Sequence, residues 1–217
     1  MFIRYVPLLR QRAGEGKIYL ACEPELFRVL QTLEGVDEVF ALGSEASVTY
    51  EVQVPLLSLP NRFGTTVETI PNKVPYLRPP PDAKTRIKRR KGSKLAVAFV
   101  WAGRPTHSDD RFRSCPLQWF AGLFDIPGID FYSIQWGPRS AELKPHQGRD
   151  NVFNLSEKLT DFGETAAIID QVDLVISIDS AVTHLAGALG KPVWTILPFG
   201  GEWRWLFRRE DSPWYPN

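Results

Sequence analysis

Leu174-Val175-Ile176-Ser177-Ile178-Asp179-Ser180-Ala181-Val182-Thr183-His184-Leu185-Ala186-Gly187-Ala188-Leu189-Gly190-Lys191-Pro192 decides how this chain folds. Leu174–Ile178 is an apolar run of strand length, as a strand covered on both faces must be. Asp179 stands at its carboxyl end. Ser180 is a good N-cap, and the helix expected from Ala181 has Gly190 and Pro192 as its stop. Val182, Leu185, Ala186 and Leu189 make its buried stripe, and small residues at 181, 186, 187 and 188 let it lie close to a sheet. In an open parallel sheet, ligands sit beyond the carboxyl ends of strands, where the next helices begin. The free first-turn amides of such a helix favour an anion. His184, in that first turn, is able to donate a hydrogen bond to a phosphate oxygen. By spacing alone, however, a Ser-capped helix occurs in every α/β protein, and His184 fits an ordinary half-buried histidine equally well.

Outward from this unit the same grammar repeats. Leu95–Trp101, Ile129–Gln135, Val152–Leu155 and Val193–Leu197 read as further strands, with helices between them. A helix over 162–171 has Asp161 and Glu164 in capping-box spacing. Residues 95–200 therefore predict a doubly wound parallel sheet. Towards the N-terminus, a helix with Phe2, Tyr5, Val6 and Leu9 on one face precedes a strand at Lys17–Cys22. A helix starting at Glu23-Pro24-Glu25 and stopping at Gly35 follows, then a strand at Val36–Leu42. Val52–Val54 is a further candidate strand. Between the two parts, residues 82–94 carry seven Lys or Arg side chains and read as a solvated linker or exposed helix. No aromatic residue interleaves them, which argues against a nucleic-acid patch.

Composition sets the outer limits. The chain has 217 residues, 43% of them apolar, and a formal net charge of +1. That is enough for a true core and gives no global electrostatic case for nucleic acid. Two cysteines make neither a disulfide framework nor a metal cluster and fit a reducing compartment, most simply the bacterial cytoplasm. No apolar run is long enough for a stable membrane span, and Arg4 and Pro7 spoil the N-terminus as a signal peptide. His107, His146 and His184 have no metal-ligand spacing, and the glycine, serine and histidine motifs of dinucleotide, P-loop, hydrolase and metalloprotease sites are missing.

Three other segments are candidates, and the first opens at the same sheet edge as the Asp179 turn. Gly103–Ser114 follows the strand at 95–101 and holds Arg104, Arg111 and Arg113, side chains suited to bidentate phosphate contact, although a solvent loop would look similar. Gln135-Trp136-Gly137 ends another strand, and Trp136 either stacks on a base or caps the core. The Phe199–Trp205 segment, glycine-rich and aromatic, either lines a sugar pocket or simply packs.

Together, Asp179–Trp194, Val100-Trp101-Ala102-Gly103, Arg113–Leu117, Leu159–Phe162 and Trp203–Leu206 with Arg209–Pro216 resemble glycosyltransferase family 9 (heptosyltransferase-like) proteins. The likeness is to the branch usually fused to tetratricopeptide repeats. Arg4–Leu9 and Pro55–Pro60 fit it as well, so the resemblance covers nearly the whole chain. It implies a GT-B fold of two Rossmann-like domains. Residues 1–80 would be an acceptor-side domain lacking its N-terminal strand, 81–94 the basic linker, and 95–217 the donor domain. It implies a sugar passed from a nucleotide-diphosphate-sugar to a hydroxyl of a glycan, lipid or protein acceptor, with no cofactor and no metal. The donor set would be Gly103, Arg111, Arg113 and Gln135, with Asp179, Ser180, Ala181, Thr183 and His184. The amides of Ser180 and Ala181 would hold the diphosphate, His184 would lie beside it, and Arg113 would neutralise the leaving group. The family's opening strand and glycine-rich loop, its closing helix and the repeats have no counterpart here, so the general base is expected ahead of Met1. The alternative is a non-catalytic nucleotide-sugar-binding relative.

Overall fold

The computed structural model describes residues 1–44, 48–108, 110–200, 202–206, 209 and 211–215. Glu45, Ala46, Ser47, Asp109, Gly201, Phe207, Arg208, Glu210, Pro216 and Asn217 lie outside the described residues, so the parts of the Gly103–Ser114, Phe199–Trp205 and Arg209–Pro216 segments that include them are not placed.

The chain opens with a 3-10 turn, Phe2–Tyr5, that runs into α1, Val6–Ala13. Pro7 sits in the first turn of α1, where its missing N–H costs nothing. β1, Tyr19–Cys22, and β2, Glu38–Ala41, pair in parallel, with α2, Phe27–Leu30, between them. This is the expected βαβ unit with a shorter helix. The strand expected at Val52–Val54 does not form. These residues are exposed, Val52 by 87%, and the chain turns directly into a 3-10 turn and α3, Leu59–Arg62.

The second half is the five-stranded parallel sheet anticipated from its apolar runs. β3 is Leu95–Val100, β4 Ile129–Ser133, β5 Val152–Asn154, β6 Leu174–Ile178 and β7 Val193–Ile196, in the order β5-β4-β3-β6-β7. The central strand β3 is buried from Ala96 to Val100, which explains its unbroken hydrophobicity. Winding reverses between β3 and β6, where Val100 pairs with Ser177. This is the topological switch point, and the two turns singled out from sequence leave it side by side.

The crossovers are uneven. α4, Asp110–Arg113, and two 3-10 turns join β3 to β4, and one 3-10 stretch, Pro138–His146, joins β4 to β5. Full helices cover the other half: α5, Phe162–Gln171, and α6, Ala181–Ala188. Asp161 caps α5 by accepting from Glu164 N at 2.8 Å. Glu164 does not return the bond. It accepts instead from Lys84 N, Thr85 N and Thr85 Oγ1, the last at 2.6 Å.

That diversion explains why residues 82–94 are neither a free linker nor a helix. They form an extended strap along the second sheet's domain. Ile87 N donates to Gln171, Arg89 pairs with Asp173, and Arg90 reaches both buried Asp130 and Asp150. The basic run is thus read by carboxylates of the same chain. Arg28 of α2 completes the seam by pairing with Asp82, Asp161 and Glu164, and these partners hold its guanidinium firmly protonated. Among the described residues no helix is long and apolar enough to cross a membrane.

Candidate functional site

α6 begins as predicted. Ser180 adopts extended backbone, and its Oγ accepts from Val182 N at 3.2 Å. The Ser180 and Ala181 amides have no intrahelical partner by construction; Ser180 is half-buried and Ala181 exposed. The far end closes with Lys191 N on Ala186 O and Gly190 N on Gly187 O, the two bonds of a Schellman stop. Thr183 is fully buried, and its Oγ1 donates to Ile178 O at 2.9 Å. Thr183 therefore clamps helix to strand, and its hydroxyl is spent there.

The neighbouring turn is equally constrained. Gly103 N donates to Ser114 Oγ at 3.0 Å, and Ser114 Oγ donates to Asp110 Oδ1 at 2.9 Å. A Cβ at Gly103 would lie 2.4 Å from Asp110 Oδ1 and 2.7 Å from Arg113 Nη2, so only glycine lets these side chains close over the turn. Arg113 Nε lies 3.7 Å from Asp110 Oδ1 and, although buried, has no hydrogen-bond partner among the described residues. A buried guanidinium donor without an acceptor is costly unless something arrives to accept it. Arg111 is exposed, with its guanidinium 4.4 Å from the centre of the Phe112 ring.

Gln135 sits 2% exposed against the start of the Gly103 turn. Its Oε1 accepts from Trp101 N at 3.2 Å and Ala102 N at 2.9 Å. Its Nε2 donates to Ala102 O at 3.0 Å and Trp136 O at 3.1 Å. Every polar capacity is used, so Gln135 positions the β3 turn and presents nothing to a donor. Trp136 itself is 62% exposed and does not cap the core; the buried Trp101 does, with its Nε1 donating to Glu142. Arg139 grips the same carboxylate and holds its pKa below the usual range.

His184 departs most from a simple phosphate donor. Its ring stacks on Trp205 at 5.5 Å with an interplanar angle of 2°, and Nδ1 lies 3.0 Å from the Tyr215 hydroxyl. Burial, then the positive charges of the terminal amine, Arg204 and Arg4, press its pKa down to about 3. It is therefore neutral, and its 3.9 Å approach to Asp179 is not an ion pair. Nδ1 and the Tyr215 hydroxyl share one proton in either sense, while Nε2 faces Asp179 and has no hydrogen-bond partner among the described residues. Asp179 is nearly buried, and Arg204 lies 3.7 Å away on its other oxygen.

The partners Arg204, Trp205 and Tyr215 come from a C-terminal strap that the sequence flagged only as an aromatic cluster. Tyr215 lies against Gly187, where a Cβ would meet its ring at 2.2 Å. Gly187 thus admits the strap and is not there for the sheet. Arg4, read as an interruption of an apolar run, is buried. It donates to Pro71 O and Trp214 O and lies over the Tyr76 and Tyr215 rings. The pairing of an N-terminal arginine with C-terminal aromatics leaves no local sequence signal. Two open cavities, of about 580 and 420 Å³, lie elsewhere, at the Gly128–Asn151 end of the sheet and at the Arg28–Glu164 seam. Neither adjoins the switch point. Among the described residues no cluster of His, Cys, Asp or Glu could hold a metal.

The class this defines is a doubly wound α/β domain with its topological switch point between β3 and β6. Residues 139–200 match the model of glycosyltransferase family 9 (heptosyltransferase). Over its full length the chain is 27% identical to Protein FlbA of Caulobacter vibrioides, of which it spans 40%. In fold it is similar to the family 9 glycosyl transferase of Veillonella parvula, with a TM-score of 0.60 at 12% identity over 99% of this chain and 79% of that one. It is also similar to Escherichia coli ADP-heptose lps heptosyltransferase II, with a TM-score of 0.53 at 13% identity over 89% and 79%. The likeness is one of fold: this chain's α/β architecture with a five-stranded parallel sheet superposes on these two structures.

Proposed function

We propose that this chain is the donor-binding part of a glycosyltransferase that takes a sugar from a nucleoside-diphosphate-sugar to an acceptor hydroxyl without a metal. Residues 95–217 hold the donor, and 1–80 belong to the acceptor side. The observation that carries this reading is the pairing of two prepared turns at one switch point. The Ser180 and Ala181 amides open a capped helix, and across Gly103 the buried Nε of Arg113 has no hydrogen-bond acceptor among the described residues.

The chemistry follows from that placement. The acceptor oxygen forms a bond to the anomeric carbon as the bond from that carbon to the diphosphate breaks. Negative charge then grows on the leaving phosphate oxygen. Fixed amides and a guanidinium in a partly dry site stabilise such charge with little reorganisation. His184, neutral, and Asp179 shape the floor of the turn, while Thr183 and Gln135 hold the two turns in place.

The test removes one amide at a time. Ala181 is the first helical residue, where proline is well tolerated, and the extended Ser180 before it suits a following proline. Ala181→Pro deletes the N–H with little effect on the fold. Calorimetric titration with nucleoside diphosphates should show binding weakened roughly tenfold or more in this variant and in Arg113→Ala. No binding by the unaltered protein would sink the reading. Binding without turnover on any acceptor would make the chain a non-catalytic donor-binding module.

A further inference from the structure

We infer that Trp136 is the stacking platform for the donor's nucleobase, so that the site takes a nucleoside diphosphate and not merely a diphosphate. This rests on the donor reading given above. Trp136 stands just past the carboxyl end of β4, next to β3 in the sheet, with Ile134 N still bonded to Phe99 O. Its backbone is fixed unusually firmly for an edge residue. One buried amide, that of Gln135, holds both the Trp136 carbonyl and the Ala102 carbonyl, directly before Gly103. The Trp136 backbone is thus fixed to the Ala102 backbone, one residue before the turn that holds Arg113.

Exposure separates it from its neighbours. Phe99, Trp101, Phe131 and Tyr132 on the same two strands are all buried, whereas Trp136 leaves 62% of its surface in water. Exposed aromatics are common singly, and Phe112, Trp119, Trp194, Phe199 and Trp203 are others. Among the described residues neither Phe199 nor Phe112 has its carbonyl held by a buried side chain, which favours the β4 side. The spans agree. Strands lie about 4.8 Å apart, so β4 is about 10 Å from β6 across β3. A diphosphate between the α6 amides and Arg113 would place its nucleoside, one ribose further on, at the end of β4. Stacking needs only a π face, so this platform supplies affinity for any base without choosing among them.

The experiment titrates ADP, UDP, GDP and inorganic pyrophosphate into the unaltered protein, Trp136→Ala, Trp136→Phe and Phe199→Ala. Trp136→Ala should weaken the nucleoside diphosphates by about tenfold while pyrophosphate affinity stays constant. Trp136→Phe should recover most of the loss, and Phe199→Ala should match the unaltered protein. Unchanged nucleotide affinity in Trp136→Ala would overturn the inference, as would an equal loss for pyrophosphate, which would mark a structural role. If the unaltered protein bound neither nucleotides nor pyrophosphate, the donor reading itself would have failed first.

Discussion

Acidification should loosen this protein through His184 before it titrates most carboxylates. In the folded chain the ring is buried between Trp205 and Tyr215 and stays neutral down to about pH 3. In the unfolded chain it takes up a proton near pH 6.5. The folded pKa is the lower one, so the stabilising difference is complete above pH 6.5 and is lost as pH falls from there towards 3. The slope is about 1.4 kcal/mol per pH unit, giving a loss of about 1.4 kcal/mol at pH 5.5 and about 2.7 kcal/mol at pH 4.5. Asp130, Asp173 and Glu164 also hold depressed pKa values, so the total acid sensitivity is shared with them. His184→Gln isolates the histidine, because its side-chain amide pairs with the Tyr215 hydroxyl in either sense but has nothing to titrate. Urea unfolding followed by tryptophan fluorescence at pH 7.5, 6.5, 5.5 and 4.5 reads the difference between the two proteins. That difference should fall with the stated slope below pH 6.5. A difference independent of pH would refute the assignment of a buried neutral imidazole.

Other perturbations have definite outcomes. Gly187→Ala places a methyl group inside the Tyr215 ring, so the strap must lift; the net cost should be about 1–3 kcal/mol, and limited proteolysis should cut selectively after residue 200. Glu164→Ala leaves the Thr85 hydroxyl, two strap amides and Arg28 without their shared acceptor. It should lower stability by roughly 3 kcal/mol in chemical denaturation, whereas Asp82→Ala, at the exposed corner of the same network, should cost less than about 1 kcal/mol. Gln135→Leu strands buried Trp101 and Ala102 amides. It should destabilise by about 2–4 kcal/mol and weaken nucleoside diphosphate binding together with stability, unlike Ala181→Pro, which should affect binding alone.

The sequence by itself determined the elements that depend on near neighbours. Unbroken apolar runs such as Ala96–Val100 can only be covered strands, and Ser180 with Gly190 brackets α6 because caps and stops are local chemistry. Asp161 capped its helix for the same reason. The βαβ order alone puts the Gly103 and Asp179 turns at one sheet edge. What only the tertiary structure decided lies in pairings between distant residues. Glu164 has capping-box spacing, yet it serves a strap some eighty residues away, because buried amides there had no other acceptor. Gln135 and Thr183 stand out in the sequence by their place after strands, but their polar atoms are consumed by backbone partners that only folding brings near. His184 was legible as a first-turn histidine; its neutrality comes from Trp205 and Tyr215, at the far end of the chain. Arg4 is the clearest case. A charge in an apolar run reads as an exposed interruption until the C-terminal carbonyl and rings that surround it are folded back, since burying a guanidinium is tolerable only where acceptors and π faces converge on it.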